Sequence, residues 1–475
     1  MDWQGRSVLL ITYNWPPDLS VGSVRPVHLA RGLARNGWRP IVLTVDERYY
    51  ELKHSETTNS PSDITVIRTR RFLSPREIYA FLKKVLRPLQ GEVPIVHENV
   101  VAGNSSGSNR WLARLKRSIV SLVNIPDEYV GWIPFAVWGG VRAVRKYKIN
   151  CVVSTAPFFT AHLVAGMVSM FAQVPWVAEF RDPWSSNVHK SLGGRSGLSE
   201  YLARWLEQRV VHAAERVVCV TSVMTEAYCA LYPDEPLCKW ATITNGFDKE
   251  EFKAMGSVRA NRRFTITYLG SFNYFRRPHL LLQSVADLLR EGAIKKDDVL
   301  IKFIGECRYA DGQSVAELAE GLGLEGICEI VDLLPRPEVF REMMEAYVLL
   351  LLANEQPLQI PGKTFEYMGA GRRVLTITES TSATAEVVRY TGIGEVVAPG
   401  DLSAMKQVLR QWYGEYCSGS IREREPSRGN AGRIMEYEWE VLAARYAALL
   451  ATSAIEGQDR HREIAQRSKG GVMRM

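Results

Sequence analysis

Residues 360–377, IPGKTFEYMGAGRRVLTI, decide the fold, because they predict a loop, then a helix and then a buried strand. Another strand, YVLLLLA (347–353), is predicted shortly before them. Near-continuous apolar strands that alternate with helices are typical of a parallel sheet covered on both faces. The stretch therefore predicts one repeat of a doubly wound α/β domain.

The same alternation extends over most of the chain. Up to about residue 245, helix-length segments separate the apolar runs SVLLITY, RPIVLTV, DITVIR, CVVST, WVAEF and RVVCVT. The alternation restarts at FTITYLG (264–270) and continues through VLIKFIG, CEIVDLL, RRVLTIT and GEVVA. The polar stretch DKEEFKAMGSVRANRR (248–263) lies between the two series. We therefore expect two Rossmann-like domains, each with a doubly wound parallel sheet.

Composition excludes several classes of protein. The chain has 475 residues, of which 46% are hydrophobic and 23% charged, as in globular proteins of two or three domains. No stretch approaches the roughly 20 apolar residues of a membrane span, and the segment MDWQGRSVLLITY lacks the features of a signal peptide. We expect a cytoplasmic protein. The seven scattered cysteines show no CxxC spacing, which argues against a zinc site or a disulfide framework.

Positive charge is concentrated between Arg70 and Arg117. Ten basic residues against three glutamates give this region +7, which equals the formal net charge of the whole chain. Its segments 78–89 and 110–123 predict basic amphipathic helices, which could lie on an anionic membrane surface on the cytoplasmic side. Alternatively, both helices pack on the domain core and expose their charges to water. Nucleic acid is not an expected partner, because no binding motif accompanies the charge.

Ligands of parallel sheets bind at the carboxyl ends of the strands, so the residues that follow each strand are candidates for a site facing a cleft. After the first strand, the loop contains Gly22, then Ser23 as a possible N-cap, then Arg25, which could contact a phosphate through two hydrogen bonds. Free N–H groups at the start of the following helix would suit an anion. A plain connection between strand and helix is the alternative.

Two arginines follow the strand FTITYLG. Arg276 and Arg277 directly precede Pro278, which suits the first position of a helix. Cations are disfavoured beside the positive end of a helix dipole, so the pair is best explained by an anionic ligand. The alternative is a pair of arginines that faces solvent.

Lys363 and Glu366 fall on one face of the first turn of the helix predicted within 360–377. A carboxylate with both oxygens free can accept the two hydroxyls of a ribose, while the lysine and nearby N–H groups meet phosphate oxygens. The alternative is that Glu366 caps the first turn and the lysine is solvated.

These motifs resemble those of the group-one retaining glycosyltransferases of the GT-B type, over nearly the whole chain. IPGKTFEYMGAGRRVLTI is similar to their nucleotide-binding segment, in which the glutamate of FEYM, here Glu366, holds the ribose of a nucleotide sugar. Further similarities are found in LLITYNWPPDLSVGSVRP (9–26), PWVAEFRDPW (175–184), ITNGFD (243–248), ITYLGSF (266–272) and the terminal helix GRIMEYEWEVLAARYAALLA (432–451).

The resemblance implies a domain organisation. Residues 1–249 would form an N-terminal acceptor-side domain with a basic insertion at 70–130, and residues 250–429 a C-terminal nucleotide-sugar-binding domain. Residues 430–453 would form a helix that crosses back to the first domain, followed by a flexible tail at 454–475.

The resemblance also implies an activity. The chain would transfer a hexosyl unit from a nucleoside-diphosphate sugar, such as a UDP-sugar, to a hydroxyl of a glycan, a lipid-linked glycan or a small molecule, with retention of configuration. Metal would not be needed, since helix ends and basic side chains neutralise the diphosphate. Asp182, Arg277 and Lys363 would be catalytic; the donor would be bound by Gly22, Arg25, Gly270, Arg276, Gly362, Thr364 and Glu366.

One position departs from the family pattern. Many members carry a second glutamate eight residues before the ribose glutamate, and here that position is Leu358, with Glu355 three residues earlier. A catalytically silent protein that binds nucleotide sugar as a scaffold or regulator is therefore the alternative function.

Acceptor-side candidates lie after two strands of the first domain. Ser154 ends one strand and His162 lies in the helix that follows it. Arg181, Asp182 and Trp184 follow another strand, and Asp182 could orient or deprotonate an acceptor hydroxyl. The alternatives are an ion pair between Asp182 and Arg181, and a histidine packed in the helix rather than used in catalysis.

Overall fold

The structure is a computed structural model. It describes residues 5–50, 64–74, 77, 125–185, 197–272, 276–419 and 429–471, with side chains up to 456 in the last range. The chain divides into two compact units. The first unit contains the residues up to Cys219, Tyr228–Ala241 and the residues from Ala443 on, and the second contains Val220–Ala227 and Thr242–Leu442.

A seven-stranded sheet forms the centre of the first unit, with the strand order β3-β2-β1-β4-β5-β6-β7. Neighbouring strands from β3 to β6 are parallel, and the order changes direction between β1 and β4. Every residue of β1, β4 and β5 is buried, as expected for a sheet covered on both faces. The strands are β1 (Ser7–Ile11), β2 (Arg39–Val45), β3 (Thr65–Thr69), β4 (Cys151–Ala156), β5 (Trp176–Phe180), β6 (Arg216–Cys219) and β7 (Trp240–Thr242).

Helices cover this sheet. Among the described residues they are α1 (Val24–Arg35), α2 (Ile133–Tyr147), α3 (Thr160–Ala172), α4 (Gly197–Ala213) and the part of α5 (Ser222–Leu231) from Tyr228 on. The long helix α14 (Trp439–Gly471) contributes its residues from Ala443 on to this unit, where Tyr446 and Leu450 are fully buried.

The second unit contains a six-stranded sheet in which all neighbouring strands are parallel, with the order β12-β9-β8-β13-β14-β15. The order changes direction between β8 and β13. The strands are β8 (Phe264–Ser271), β9 (Val299–Glu306), β12 (Cys328–Val331), β13 (Val348–Leu352), β14 (Arg373–Ile377) and β15 (Gly394–Val397), and the antiparallel hairpin β10 (Tyr309–Ala310) and β11 (Gln313–Ser314) follows β9.

Two apolar clusters pack around the strands of the second unit, and helices contribute to both. The helices of this unit are α6 (Lys249–Ala254), α7 (His279–Arg290), α8 (Val315–Gly321), α9 (Arg336–Glu345), α10 (Lys363–Ala370), α11 (Ala383–Thr391), α12 (Leu402–Cys417) and α13 (Ala431–Met435). Short 3-10 turns occur at Val21–Ser23, Glu47–Tyr49, Val130–Trp132, Leu237–Lys239 and Lys296–Asp298. The predicted fold class, two doubly wound parallel sheets, is confirmed.

The units differ in detail from the predicted domains. Thr242 already belongs to the second unit, several residues before the predicted boundary at 249/250, because the side chain of Phe247 packs in an apolar cluster of that unit. Helix α14 extends to Gly471, where a flexible tail had been predicted from residue 454. Good helix formers such as Ala, Glu, Arg and Gln dominate this segment and favour continuation of the helix. Most of the basic insertion predicted at 70–130 lies outside the described residues.

Candidate functional site

The candidate donor residues lie at one edge of the second sheet. Strands β8 and β13 are neighbours at the position where the strand order changes direction, and Arg276 and Arg277 follow β8. Residues 353–362 follow β13 and lead into α10, which begins at Lys363. Parallel α/β sheets bind ligands at such a point, outside the carboxyl ends of the strands. The predicted position of these residues, at the carboxyl ends of β8 and β13, is therefore confirmed. The hydrogen bonds and ion pairs that they make within the protein were not predicted.

Glu366 lies between two cations. Lys363 Nζ donates to Glu366 Oε2 at 2.7 Å, and Arg336 Nη1 on α9 lies 3.6 Å from Glu366 Oε1. Arg336 also pairs with Glu251 at 2.9 Å. In this structure both oxygens of Glu366 have partners, because residues three apart on a helix are neighbours and bind each other. The roles of Glu366 toward a ribose and of Lys363 toward a phosphate stay predictions. The residue at the N-cap of α10 is Gly362, which has no side chain to cap the helix.

Gly362 and Thr364 flank Lys363 and differ in environment. Gly362 has φ −56°, and a Cβ built there would meet no atom within 4 Å, so the space beside it is open. Thr364 is fully buried, and its amide donates to Pro361 O at 3.0 Å. Both the side chain and the N–H of Thr364 thus lie within the protein, and its contact with the donor stays a prediction.

Arg277 is held by a residue that the sequence analysis missed. Its Nε lies 2.5 Å from Asp311 Oδ2, and its side chain is 57% exposed. Asp311 and Gly312 form the turn of the β10–β11 hairpin, both with positive φ (+52° and +81°). An Asp-Gly pair is a strong sequence signal for such a turn and could have drawn attention to it. The solvent-facing alternative fits the exposure of Arg277.

Arg276 lies against the Tyr268 hydroxyl of β8. Burial raises the pKa of Tyr268 well above its usual value, and Arg276 counteracts this in part through its charge and a hydrogen bond. Gly270 permits close packing of two strands: a Cβ on its neighbour Gly305, at φ +117°, would lie 2.2 Å from Gly270 O. These glycines have a structural role at the end of β8 and β9.

The loop after β13 contains the position that departs from the family pattern. Leu358 is partly buried, and its carbonyl accepts a hydrogen bond from Thr221 Oγ1 at 2.8 Å. Glu355 is exposed at φ +58°, in the left-handed region, and its N–H donates to Glu379 Oε1 at 2.8 Å. A left-handed non-glycine residue costs on the order of 1 kcal/mol and occurs more often at functional sites.

In the first unit, the loop after β1 is held by its own side chains. Asn14 Nδ2 donates to Asp18 Oδ2 and to Ser20 Oγ, each at 2.7 Å. A Cβ on Gly22 would lie 3.0 Å from Asn14 Cγ, and the Gly22 carbonyl accepts from Arg181 Nη1 at 2.8 Å. Ser23 does not cap α1, since its Oγ donates to Ser20 O within a 3-10 turn.

Arg25 is not available to a phosphate through the predicted two hydrogen bonds. Its guanidinium is buried and donates to Glu179 Oε1 from Nε at 3.0 Å and from Nη2 at 2.7 Å. Burial would raise the pKa of Glu179, yet the charge of Arg25 and its hydrogen bonds hold that pKa below its usual value. The sequence did not reveal this pair, because Glu179 lies 154 residues away. A contact of Arg25 with the donor stays a prediction.

Arg181 and Asp182 follow β5. The side chains of both residues are partly exposed. Burial lowers the pKa of Arg181, while the negative charges of Asp182 and Glu179 act to raise it. The electrostatic attraction between Arg181 and Asp182 agrees with the structural alternative. A role of Asp182 toward an acceptor stays a prediction.

Ser154, His162 and Trp184 are core residues. The Ser154 hydroxyl accepts from the Trp176 indole at 2.8 Å and shares a hydrogen bond of 2.7 Å with His162 Nδ1. Burial lowers the pKa of His162 to about 3. Trp184 is fully buried and stacks on Phe159, with ring centroids 4.6 Å apart. The burial of His162 agrees with the packed-histidine alternative. An acceptor contact of Ser154, His162 or Trp184 stays a prediction.

An aromatic cluster that the sequence analysis missed lies where the first sheet changes direction. Tyr13 follows β1 and stacks near Tyr129, with centroids 4.0 Å apart, and Phe158 after β4 lies 4.2 Å from Tyr129. Arg71 stands over the ring of Tyr129 at 5.6 Å. Tyr129 and Phe158 are partly exposed. This cluster could have been predicted from the sequence, because aromatic residues follow both β1 and β4.

Clusters of metal ligands and membrane-spanning helices are both absent from the part of the chain that the structure describes. There, no three His, Cys, Asp or Glu side chains come together as metal ligands do. No described helix combines the length and the apolar character needed to cross a bilayer.

Comparisons with known proteins agree with this architecture. Residues 97–251 match the family described as Glycosyltransferase Family 4. None of the curated proteins matches the chain in sequence.

Solved structures resemble nearly the whole chain. Sucrose-phosphate synthase from Thermosynechococcus elongatus is 14% identical, with 94% of this chain and 98% of that one covered and a TM-score of 0.59. HepE from Anabaena, in complex with UDP and glucose, is 14% identical, with 94% and 99% covered and a TM-score of 0.55. The UDP-forming α,α-trehalose-phosphate synthase from Burkholderia xenovorans is 11% identical, with 94% and 100% covered and a TM-score of 0.57. The predicted resemblance is therefore confirmed: the chain has the GT-B fold of these glycosyltransferases, and its residues 97–251 are similar to a glycosyltransferase family.

Proposed function

We propose that the protein transfers a hexosyl unit from a nucleoside-diphosphate sugar to a hydroxyl acceptor, with retention of configuration. The observation that carries the proposal is Glu366, which lies between Lys363 and Arg336 at the start of the helix that follows β13. A carboxylate and several cations at the carboxyl edge of a parallel sheet suit the ribose and the diphosphate of one ligand. HepE is described as a complex with UDP and glucose, so UDP is the first nucleotide to test.

Donor binding would exchange partners within this cluster. The pair of Lys363 with Glu366 is partly exposed, so its net contribution to stability is small and the exchange is inexpensive. Lys363 would turn to a phosphate oxygen, which frees Glu366 Oε2 for a ribose hydroxyl. Arg277 would likewise exchange Asp311 for phosphate. The open space beside Gly362 leaves room for the ligand to approach the backbone.

The cations would also contribute to the rate. Negative charge on the diphosphate grows as the glycosidic bond breaks, and fixed cations stabilise it most where they are already oriented. Arg276, Arg277 and Lys363 are the residues proposed for this role. Their positive charge is the reason for proposing a reaction without a divalent metal.

We propose that Asp182 binds the acceptor, and that Tyr129 and Phe158 form an aromatic surface for the acceptor at the same edge of the sheet. Asp182 follows β5 and Phe158 follows the adjacent strand β4, so both lie at the same sheet edge. Partly exposed rings bind the apolar faces of ligands, and the carboxylate could hold the reacting hydroxyl. A glycan carried on a lipid is one acceptor to test, with the protein on the inner face of the membrane.

A scaffold or regulatory protein that binds the nucleotide sugar without transferring it is the second candidate. Leu358 favours it, because an aliphatic side chain replaces the glutamate found near the donor sugar in many relatives. Glu355 is exposed three residues away, and the loop is anchored by Thr221 and Glu379.

The test is a thermal-shift screen against nucleoside diphosphates and their sugars, followed by hydrolysis of the best donor without acceptor. A ligand at 100 times its Kd adds about 2.7 kcal/mol to the free energy of unfolding. Slow release of the nucleoside diphosphate supports a transferase. A thermal shift without any release supports the scaffold, and the absence of a shift for every nucleotide contradicts both.

Glu366→Ala and Arg277→Ala are each expected to weaken nucleotide binding by about 1 to 3 kcal/mol, the range for a lost hydrogen bond to a charged group. Titration calorimetry with the best ligand measures the change. Two matched controls lie away from the sheet edge: Glu320→Ala on α8, and Arg290→Ala, another exposed arginine paired with an aspartate. Unchanged affinity in both test variants, with native circular dichroism, would refute the donor site.

Chelation with EDTA is expected to leave the transfer rate unchanged, because protein cations supply the charge that a divalent ion would otherwise supply. The measurement compares initial rates before and after dialysis against EDTA, with added Mg²⁺ or Mn²⁺ as the control. A loss of activity that metal restores would show that the charge-neutralising groups have been misassigned.

A further inference from the structure

An apolar groove opens on the helical surface of the first unit. It has a volume of about 370 Å³ and is lined by residues of α2 and α3: Ile133, Pro134, Val137, Trp138, Val141, Met167 and Phe171. Its walls are almost entirely apolar. Trp138 is 63% exposed and Phe171 58%, and Met170, next to the groove on α3, is 63% exposed. The seven lining residues and Met170 together are called the α2–α3 face.

Helix α3 is apolar on both of its sides. Ala161, Val164 and Val168 are buried against the domain, while Met167, Met170 and Phe171 point outward. Its thirteen residues include no Asp, Glu, Lys or Arg. A surface helix ordinarily places charged residues on its outer side, and a contiguous exposed apolar patch marks a contact with another molecule or a membrane.

Cations border this face on α2. Arg142, Arg145 and Lys146 are exposed, and neither α2 nor α3 contains an acidic residue. The Arg142 guanidinium stands over the Trp138 ring, 4.5 Å from its centroid. Tryptophan beside arginine is typical of surfaces that meet lipid headgroups, where the ring lies at the interface and the cation meets phosphate.

The charge distinguishes between possible occupants. A second copy of the chain would bring the same cations against these, which opposes pairing. Residues 78–124 of the chain carry seven Lys or Arg and two Glu, so they too are net positive. An anionic bilayer offers both an apolar interior and charge of the opposite sign.

We propose that the α2–α3 face binds the surface of an anionic membrane. Trp138, Phe171 and Met170 enter the boundary between headgroups and acyl chains, and Arg142, Arg145 and Lys146 meet lipid phosphates. This surface is distinct from the basic segment 70–117 considered in the sequence analysis. Membrane binding does not depend on the proposed glycosyl transfer, and it is measured without donor or acceptor.

The experiment is sedimentation of the full chain with vesicles of phosphatidylcholine that contain about one third phosphatidylglycerol. Wild-type protein is expected to bind at low salt and to dissociate as salt rises, because exposed charges are screened within about 8 Å at physiological ionic strength. Vesicles of phosphatidylcholine alone should bind much less.

Two variants separate the contributions. Charge reversal by Arg142→Glu, Arg145→Glu and Lys146→Glu should reduce binding on the order of a hundredfold, since each cation contributes about a fivefold change in affinity. Trp138→Ser with Phe171→Ser should reduce it at least tenfold at unchanged net charge.

The controls match each variant. Arg290→Glu, Lys295→Glu and Lys296→Glu change the net charge equally on exposed residues of the second unit, and Leu237→Ser removes an exposed leucine elsewhere in the first unit. Both controls should bind vesicles nearly as wild type does. Circular dichroism and thermal unfolding verify that each variant is folded.

Three outcomes would overturn the proposal. Wild-type protein could fail to bind anionic vesicles at low salt. Both α2–α3 variants could bind as tightly as their controls, which would assign membrane binding to another segment. Finally, Trp138→Ser with Phe171→Ser could convert a dimer to a monomer in analytical ultracentrifugation without affecting vesicles, which would make the face a self-association surface.

Discussion

Replacing Glu179 by alanine is expected to lower the free energy of unfolding of the first unit by about 3 to 5 kcal/mol. Glu179 is fully buried, and it accepts two hydrogen bonds from Arg25, which is itself buried. Without the carboxylate, the guanidinium would keep its charge in a site with little water. Urea unfolding followed by tryptophan fluorescence measures the change, because all tryptophans except Trp412 and Trp439 belong to the first unit.

Two controls make this result specific. Glu47→Ala removes an exposed glutamate whose partner Arg68 lies 3.9 Å away, and it should change stability by less than about 0.5 kcal/mol. Arg25→Met combined with Glu179→Leu removes both charges and should recover most of the loss, since an apolar pair of similar volume can replace a buried ion pair. A loss below 1 kcal/mol for Glu179→Ala alone would contradict the assignment.

Stability of the first unit is expected to fall in acid partly because of His162. Burial lowers the pKa of this histidine in the folded protein to about 3, against about 6.5 in the unfolded chain. Between these values the unfolded state binds a proton that the folded state does not, so the free energy of unfolding decreases as pH falls. The slope is about 1.4 kcal/mol per pH unit, or roughly 2 to 3 kcal/mol between pH 6 and pH 4.

His162→Asn is the matched variant. Its amide oxygen can occupy the position of Nδ1 and accept from the Ser154 hydroxyl, and it does not titrate in this range. The variant should be less stable at pH 7, because the site is surrounded by Phe159, Phe180 and Trp184 and a smaller side chain leaves a cavity. Its stability should nevertheless depend less on pH. Equal slopes for the two proteins would show that His162 is protonated in the folded state.

The fold could be predicted because its strands are buried on both faces. Runs such as VLLLL (348–352) and VLLI (8–11) are apolar at every position, and this pattern distinguishes a covered parallel sheet from a sheet with one side in water. The sequence also located the candidate donor residues, since a residue that follows a strand lies at a known edge of the sheet. Arg276, Arg277 and Lys363 were found in this way.

Their partners could not be predicted, because each pair is brought together by tertiary structure. Asp311 holds Arg277 from a hairpin after the next strand, and Arg336 reaches Glu366 from another helix. The sequence also does not show that Ser154 and Trp184 are buried. Helix α3 is apolar on all sides, so its periodicity does not reveal that His162 points inward.

Helix α14 follows the second unit in the sequence but belongs in part to the first unit. During synthesis, the core of the first unit can therefore be completed only after the second unit has been made. The first unit begins near the start of the chain, yet Tyr446 and Leu450 fill its core. A ribosome that adds 5 to 20 residues per second needs roughly 10 to 40 s to pass from Ala241 to Ala443. During that time the second unit can fold in full, while the nascent first unit exposes the apolar surface that α14 will cover. The part of the protein that is made first is thus finished last, and it is the part that chaperones would hold.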